Sequence, residues 1–135
     1  MLTIIDLETP PGDALVDFTA QAQAAVTASG IESGLCALIV PHTTAGITIN
    51  SALDAATPVD IIAELRRIVP TRVDFAHQYD TPADAAGHIK AALVGQSLVL
   101  PIAAGRLQLG GSQSLLFCEF DGPRSRQVQI KIIGG

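Results

Sequence analysis

Histidine is scarce in this chain, and each of its three copies stands among residues suited to site chemistry: Pro41-His42-Thr43-Thr44-Ala45, Ala76-His77-Gln78-Tyr79-Asp80 and Ala86-Gly87-His88-Ile89-Lys90. Imidazole is the commonest protein ligand of a transition metal, and three imidazoles leave a fourth position open on a tetrahedral ion, as in catalytic zinc sites. The separations, 35 positions from 42 to 77 and 11 from 77 to 88, match no local metal signature such as His-Glu-x-x-His. Only the fold can bring the rings together. Each also has a plain structural reading: a turn histidine flanked by threonines at 42, a solvated loop histidine at 77, and a helix-edge histidine paired with an acid at 88.

A second constellation lies near the C-terminus, in Cys118-Glu119-Phe120-Asp121-Gly122-Pro123-Arg124-Ser125-Arg126. Alternation puts Glu119 on the strand face of Leu115 and Phe117, which makes it a partly buried carboxylate in need of a partner. Arg124 and Arg126 supply one as an ion-pair network, or they hold a substrate anion, which a guanidinium binds bidentately. Asp121-Gly122-Pro123 reads as a turn.

The elements that must position these groups follow from periodicity. A strand is expected over 2–7, then a helix from about Asp13 with Leu15, Phe18, Ala22 and Ala25 on one face, ending at Ser29-Gly30. The continuous apolar run Leu35 to Val40 predicts a central strand covered on both faces, and Gly46 to Asn50 a second strand beyond the His42 loop. Thr57-Pro58-Val59-Asp60 and Thr81-Pro82-Ala83-Asp84 each read as a helix start with an N-cap threonine and proline at the first position. The first helix turns Ile61, Ile62, Leu65, Ile68 and Val69 inward; the second turns Ala85, Ile89, Ala92 and Leu93 inward and ends at Gly95. His88 falls about 100° from Ile89, with Asp84 one turn before it as an orienter or partner. From Ser97 onward the pattern is strand and turn: 97–102, 106–109, 112–120 and 126–133. One α+β domain over residues 1–135 is expected, mainly antiparallel strands packed with about three helices.

Composition narrows the partners. The net charge of −5 and the lack of any Lys/Arg cluster argue against nucleic acid and anionic membrane. Asp6 and Glu8 interrupt the first apolar stretch, and no apolar run reaches spanning length, so a cytoplasmic protein without membrane partners is expected. Cys36 and Cys118 lie in apolar runs, where a free thiol behaves as a small hydrophobe. Hydrophobic residues make up 48% of the chain and charged ones 16%, a balance that points to surface buried between identical subunits.

Taken together, Pro41 to Asn50, Val59-Asp60, Pro70, His77, Asp84 to Lys90, Leu93-Val94-Gly95, Gly105-Arg106-Leu107 and Glu119 to Arg126 resemble the YjbQ-like family, also called the secondary thiamine-phosphate synthase family. The resemblance extends over nearly the whole chain. It implies a homotrimer and a polar pocket in which His42, His77 and His88 meet and hold a metal ion, with a secondary thiamine-phosphate synthase activity. Two positions depart from the family's usual pattern: Ser51 stands where relatives commonly carry Glu, and Ser112 where they carry Trp. The first is expected to remove a carboxylate near the histidines.

The expected assignment is therefore His42, His77 and His88 as metal ligands, and His42, Glu119 and Asp84 as catalytic or orienting groups. Thr43, Thr44, Asn50, Arg124 and Arg126 are the expected contacts to a small, phosphorylated substrate. Three imidazoles suit Zn²⁺, whereas the pyrophosphate chemistry implied by the resemblance suits Mg²⁺, which prefers oxygen ligands. Metal-assisted hydrolysis of a small phosphorylated substrate and a non-catalytic metal- or metabolite-binding trimer are the competing readings.

Overall fold

The computed structural model describes residues 2–78 and 80–135; Tyr79, read above as part of a polar connection, lies outside them. Strands β1 (Leu2–Glu8) and β2 (Gly12–Asp17) precede helix α1 (Thr19–Ser29), followed by β3 (Gly34–Ile39) and β4 (Ala45–Asn50). Helices α2 (Ala56–Ile68) and α3 (Pro82–Val94) lead to β5 (Ser97–Ala103), β6 (Arg106–Leu107), β7 (Ser114–Gly122) and β8 (Ser125–Gly134). One sheet has the order β1-β8-β3-β5-β6 and the other β2-β7-β4, and every pairing is antiparallel. The expected α+β class with three helices is what the chain adopts.

Alternation explains the layers. Leu38, Val128 and Ile130 from the first sheet share a core with Ile47, Leu115 and Phe117 from the second, and Phe18, Ala22 and Val26 at α1 complete it. The other face of β7 presents Cys118 and Phe120 to Leu15, Ala91, Ile62, Leu65 and Val94, so α2 and α3 cover the second sheet. The strand covered on both faces is thus β7. The expectation for Leu35 to Val40 fails on this point, because β3 is central in its sheet yet leaves Leu35 and Ile39 exposed. With Leu2, Ile4 and Val99 they lie on the outer face of the five-stranded sheet, on either side of a polar strip of Gln127, Gln129 and Lys131 from β8.

Three further expectations are corrected. The helix read from Asp13 begins only at Thr19; Asp13 to Asp17 belong to β2, whose pairing with β7 overrides the three-and-four spacing of Leu15, Phe18 and Ala22. Helix α2 starts at Ala56 rather than after a Thr57 cap, and Ile68 is exposed. In α3, Thr81 caps as predicted, but Ile89 and Leu93 are exposed and Ala85, Ala86, Gly87, Lys90 and Ala91 form the buried face. Small side chains let this helix lie close on the sheet. The buried lysine ammonium is met by Asp13 Oδ2 at 2.5 Å, and the same carboxylate takes Arg66 Nε of α2 at 3.2 Å. Asp13 therefore anchors both helices to β2. Burial also pushes the thiols of Cys36 and Cys118 up to about 11 and about 12, leaving them protonated, and both are free. Among the described residues no helix is long and apolar enough to cross a membrane.

Removing one member of a buried ion pair strands the other. Lys90→Ala is expected to lower unfolding free energy by about 3–5 kcal/mol in a denaturant titration. The double variant Asp13→Asn/Lys90→Met should recover much of that loss. A single variant as stable as the parent would contradict the anchoring role.

Candidate functional site

The site is set by the start of α3. Thr81, in extended conformation, accepts the Asp84 N–H on its side chain at 3.1 Å, and Pro82 pre-forms the first turn. Gly87 then lets the helix approach the sheet: a Cβ there would lie 2.9 Å from the Phe120 carbonyl oxygen and 3.3 Å from Thr44 Cβ. One helical turn separates Asp84 from His88, so their side chains share a face, with His88 Nε2 at 3.4 Å from Asp84 Oδ2. His77 enters from the connection between α2 and α3, and its Nε2 lies 2.7 Å from the same oxygen. The two rings are edge-to-face with centroids 5.0 Å apart.

Ligand atoms of His77, Asp84 and His88 all lie within 4.8 Å of one another. Two donors on one tetrahedral Zn²⁺ sit roughly 3.3 Å apart, given bonds of about 2.0–2.1 Å; the 3.4 Å His88–Asp84 edge matches this, whereas the 2.7 Å His77–Asp84 edge is a direct hydrogen bond that an ion would have to replace. Two nitrogens and one carboxylate oxygen fit a divalent transition metal. Asp84 is only 13% exposed while His77 and His88 are 44% and 39% exposed, so the cluster opens outward from its carboxylate. Burial alone raises the Asp84 pKa, but the hydrogen bond from His77, the charges of His88 and His77 and a contact from the Asp121 side chain outweigh it and hold the carboxyl below its ordinary range.

His42 stands outside this group. The β3–β8 ladder runs as far as Ile39 opposite Gln129, and Pro41 has no N–H with which to extend it. The His42 ring fills the next place, where its Nε2 accepts the Gln127 N–H at 2.9 Å. The proton of the neutral ring is thereby assigned to Nδ1. Burial first, then the charge of Arg126, push its pKa below the ordinary imidazole value, with Glu119 pulling partly back.

Glu119 and Arg126 are enclosed together. Arg126 donates Nε to Glu119 Oε1 at 2.8 Å, Nη2 to Oε2 at 2.6 Å, and Nη2 also to Thr44 Oγ1 at 2.8 Å. The Thr9 hydroxyl and the Asp121 N–H complete the carboxylate's shell at 2.6 and 3.0 Å. Each oxygen of Glu119 thus accepts two hydrogen bonds, and its side chain has no exposure. Its pKa is raised by burial but lowered more by Arg126, Thr9 and Asp121, so the net shift is downward. The structural alternative read for this pair is the arrangement found, with Nε and Nη2 of Arg126 engaged by Glu119 and Thr44.

Of the other expected residues, Thr43 is exposed beside His42 and Thr44 is buried in the Arg126 network. Asn50 lies at the opposite end of β4 from Thr44, where its Oδ1 accepts the Ser51 N–H. The departure at Ser51 is therefore remote from the histidine cluster within the chain, contrary to expectation. Arg124 is half-exposed and is held by Asp121 through Nη2 to Oδ2 at 2.7 Å and Nε to the carbonyl at 3.1 Å. That contact raises the Arg124 pKa further. Asp121, read from sequence as a turn residue, holds Arg124, and its side chain also lowers the Asp84 pKa. Its spacing three before an arginine was the available signal.

Fold and cluster together define a small two-sheet α+β protein with an outward-opening histidine–aspartate cluster that could hold a metal ion. The chain belongs to the YjbQ-like UPF0047 family, whose description, UPF0047 protein YjbQ-like, it matches over residues 3–135. It is 40% identical to a UPF0047 protein of Methanocaldococcus jannaschii, covering 99% of this chain and 95% of that one. Identity to the UPF0047 protein YugU of Bacillus subtilis is 37%, over 99% and 100% of the two chains. Among solved structures, a hypothetical protein from Aeropyrum pernix superposes with a TM-score of 0.94 at 30% identity, covering 100% and 99%. An uncharacterized conserved protein of the family from Clostridium acetobutylicum gives 0.89 at 39% identity, covering 97% and 99%.

Two outcomes test the geometry. Because Glu119 titrates lower folded than unfolded, the unfolded chain binds more protons between the two values. Its contribution is complete above the ordinary value of 4.5 and is lost as pH falls through the folded value. Glu119→Gln should therefore flatten the acid limb of stability against pH and cost about 3–5 kcal/mol near neutrality, read from denaturant midpoints across pH. An unchanged acid limb would contradict the pairing. Gly87→Ala should cost about 1–3 kcal/mol through overpacking and shift the His88 and Asp84 resonances more than those of residues in β1.

Proposed function

We propose that this chain is a small-molecule enzyme that works with a divalent metal held by His77, Asp84 and His88. The observation that carries the reading is the convergence of these three donor groups in a site open on its outer side. The donor set favours Zn²⁺ or a similar transition metal over Mg²⁺, which prefers carboxylate and phosphate oxygens. Such an ion supplies a Lewis acid for the oxygen of a phosphoryl or pyrophosphate group. Arg124, steadied by Asp121, meets the anionic part of the substrate, and His42 offers a fixed Nδ1–H donor oriented by Gln127. Glu119, Arg126 and Thr44 position these groups from behind. In this reading the thiamine-phosphate synthase-like transfer implied by the family resemblance is a secondary activity. The half-exposure of both imidazoles favours metal-assisted hydrolysis of a small phosphorylated substrate as a second reading.

The assembly assigned here is a homotrimer, with the exposed Leu35, Ile39, Val99 and Ile133 on the outer side of the five-stranded sheet as its contact, since soluble chains rarely leave such a group bare. The two free thiols agree with a reducing, cytoplasmic setting.

Elemental analysis of tag-free protein tests the site. The parent should carry close to one transition-metal ion per chain, and His77→Ala, Asp84→Ala and His88→Ala should each lose most of it, whereas His42→Ala keeps it. Equal loss in His42→Ala would return a third imidazole to the ligand set. Full occupancy in all variants, or none in the reconstituted parent, would overturn the metal reading.

A further inference from the structure

We propose that the cavity of about 200 Å³ bordered by His77, Arg72 and Phe75 is the ligand pocket of this cation site, and that it takes a small oxyanion carrying a compact apolar body. The proposal rests on the metal reading for its inner end. None of the residues expected from the sequence to bind substrate lines this cavity.

His77 is the member of the cluster that forms part of the wall, and Asp84 and His88 lie outside the lining, so a molecule in the cavity reaches the cluster through His77. Across from it, the Arg72 guanidinium lies over the Phe75 ring, 4.8 Å from its centroid. The acid it meets is Asp74 at 3.3 Å, and both side chains are mostly exposed. An ion pair of that kind is worth about 0–1 kcal/mol, little enough for a ligand oxyanion to replace it. A guanidinium accommodates the two oxygens of such a group side by side.

Phe75 supplies the apolar wall. It is half-buried and shares the lining of a second small cavity, of about 190 Å³, with Ile68, Val69 and Ile89. Thr81 at the N-terminus of α3 forms another part of the lining, and the partial positive charge there favours an anion. Asp80 contributes the opposing charge in the wall, and it lies within the field of Arg124. Volume sets the size class: drug-sized ligands begin at roughly 300 Å³, so nucleotides and dinucleotides are excluded and a single small ring or short branched chain fits. The larger cavity of about 750 Å³ beside α1 and β6 also has an arginine, Arg106, in its lining, but no member of the cluster.

Phenylphosphonate and inorganic phosphate are the probes, titrated calorimetrically into protein loaded with Co²⁺ and followed in parallel by the visible spectrum of the ion. The parent should bind phenylphosphonate more tightly than phosphate, with a spectral change. Arg72→Gln should weaken phenylphosphonate about tenfold or more, the loss expected for charge-assisted hydrogen bonds. Phe75→Ala should abolish the preference over phosphate, and both variants should keep the parent's Co²⁺ stoichiometry. Equal affinities for the two probes in the parent, or unchanged phenylphosphonate affinity in both variants, would overturn the pocket. If the parent takes up no Co²⁺, the metal reading fails by itself. The metal-free titration then decides the pocket: binding that Arg72→Gln weakens supports it, and no binding overturns it.

Discussion

The two sheets are tied together at one end by a salt bridge that water does not reach. Glu119 on β7 and Arg126 on β8 belong to different sheets, and their paired hydrogen bonds are joined by Thr9 after β1 and Thr44 before β4. A buried pair of this kind gains little net stability, because desolvation offsets most of the attraction. Its effect is positional. Thr44 lies two residues beyond His42, Gln127 follows Arg126, and the Asp121 N–H is bound to the same carboxylate. The bridge therefore fixes the backbone on three sides of the candidate site, while the exposed groups in front of it remain free to meet a ligand.

The architecture was legible where periodicity was strong. The strands around Leu2 to Leu7, Leu35 to Val40 and Arg126 to Ile133 stand close to where alternation or apolar runs put them, and Thr81-Pro82 opened a helix as its chemistry requires. The segment at Asp13 misled because Leu15, Phe18 and Ala22 fit a helical stripe equally well, and only pairing with β7 settles the matter. The face of α3 misled for another reason. Its buried side is made of alanines, a glycine and a lysine, and a search for large apolar residues passes over it. Lys90 is inside because Asp13, far away in sequence, waits for it.

The candidate site was partly legible. The sequence singled out His77, Asp84 and His88, and the one-turn relation of Asp84 to His88 was visible from helical geometry. What sequence could not supply was the division of labour. Three imidazoles looked equivalent, yet one of them completes a β-ladder and a carboxylate takes the place beside the other two. Likewise two arginines two positions apart looked interchangeable, but alternation along β8 sends Arg126 inward, while Arg124 precedes the strand and stays half-exposed. Strand direction, more than residue type, separated the two roles.

The contact between Gly87 and the Phe120 carbonyl gauges the site with main-chain atoms. Side chains elsewhere in the core can exchange one shape for another without altering that spacing, because backbone does not repack. A protein measured this way tolerates wide drift in its filling while keeping its functional groups in register. Chains that have diverged to 30% identity, and still superpose with a TM-score of 0.94, are what such a gauge permits. A position with no side chain at all, held against main chain, then has little freedom to change.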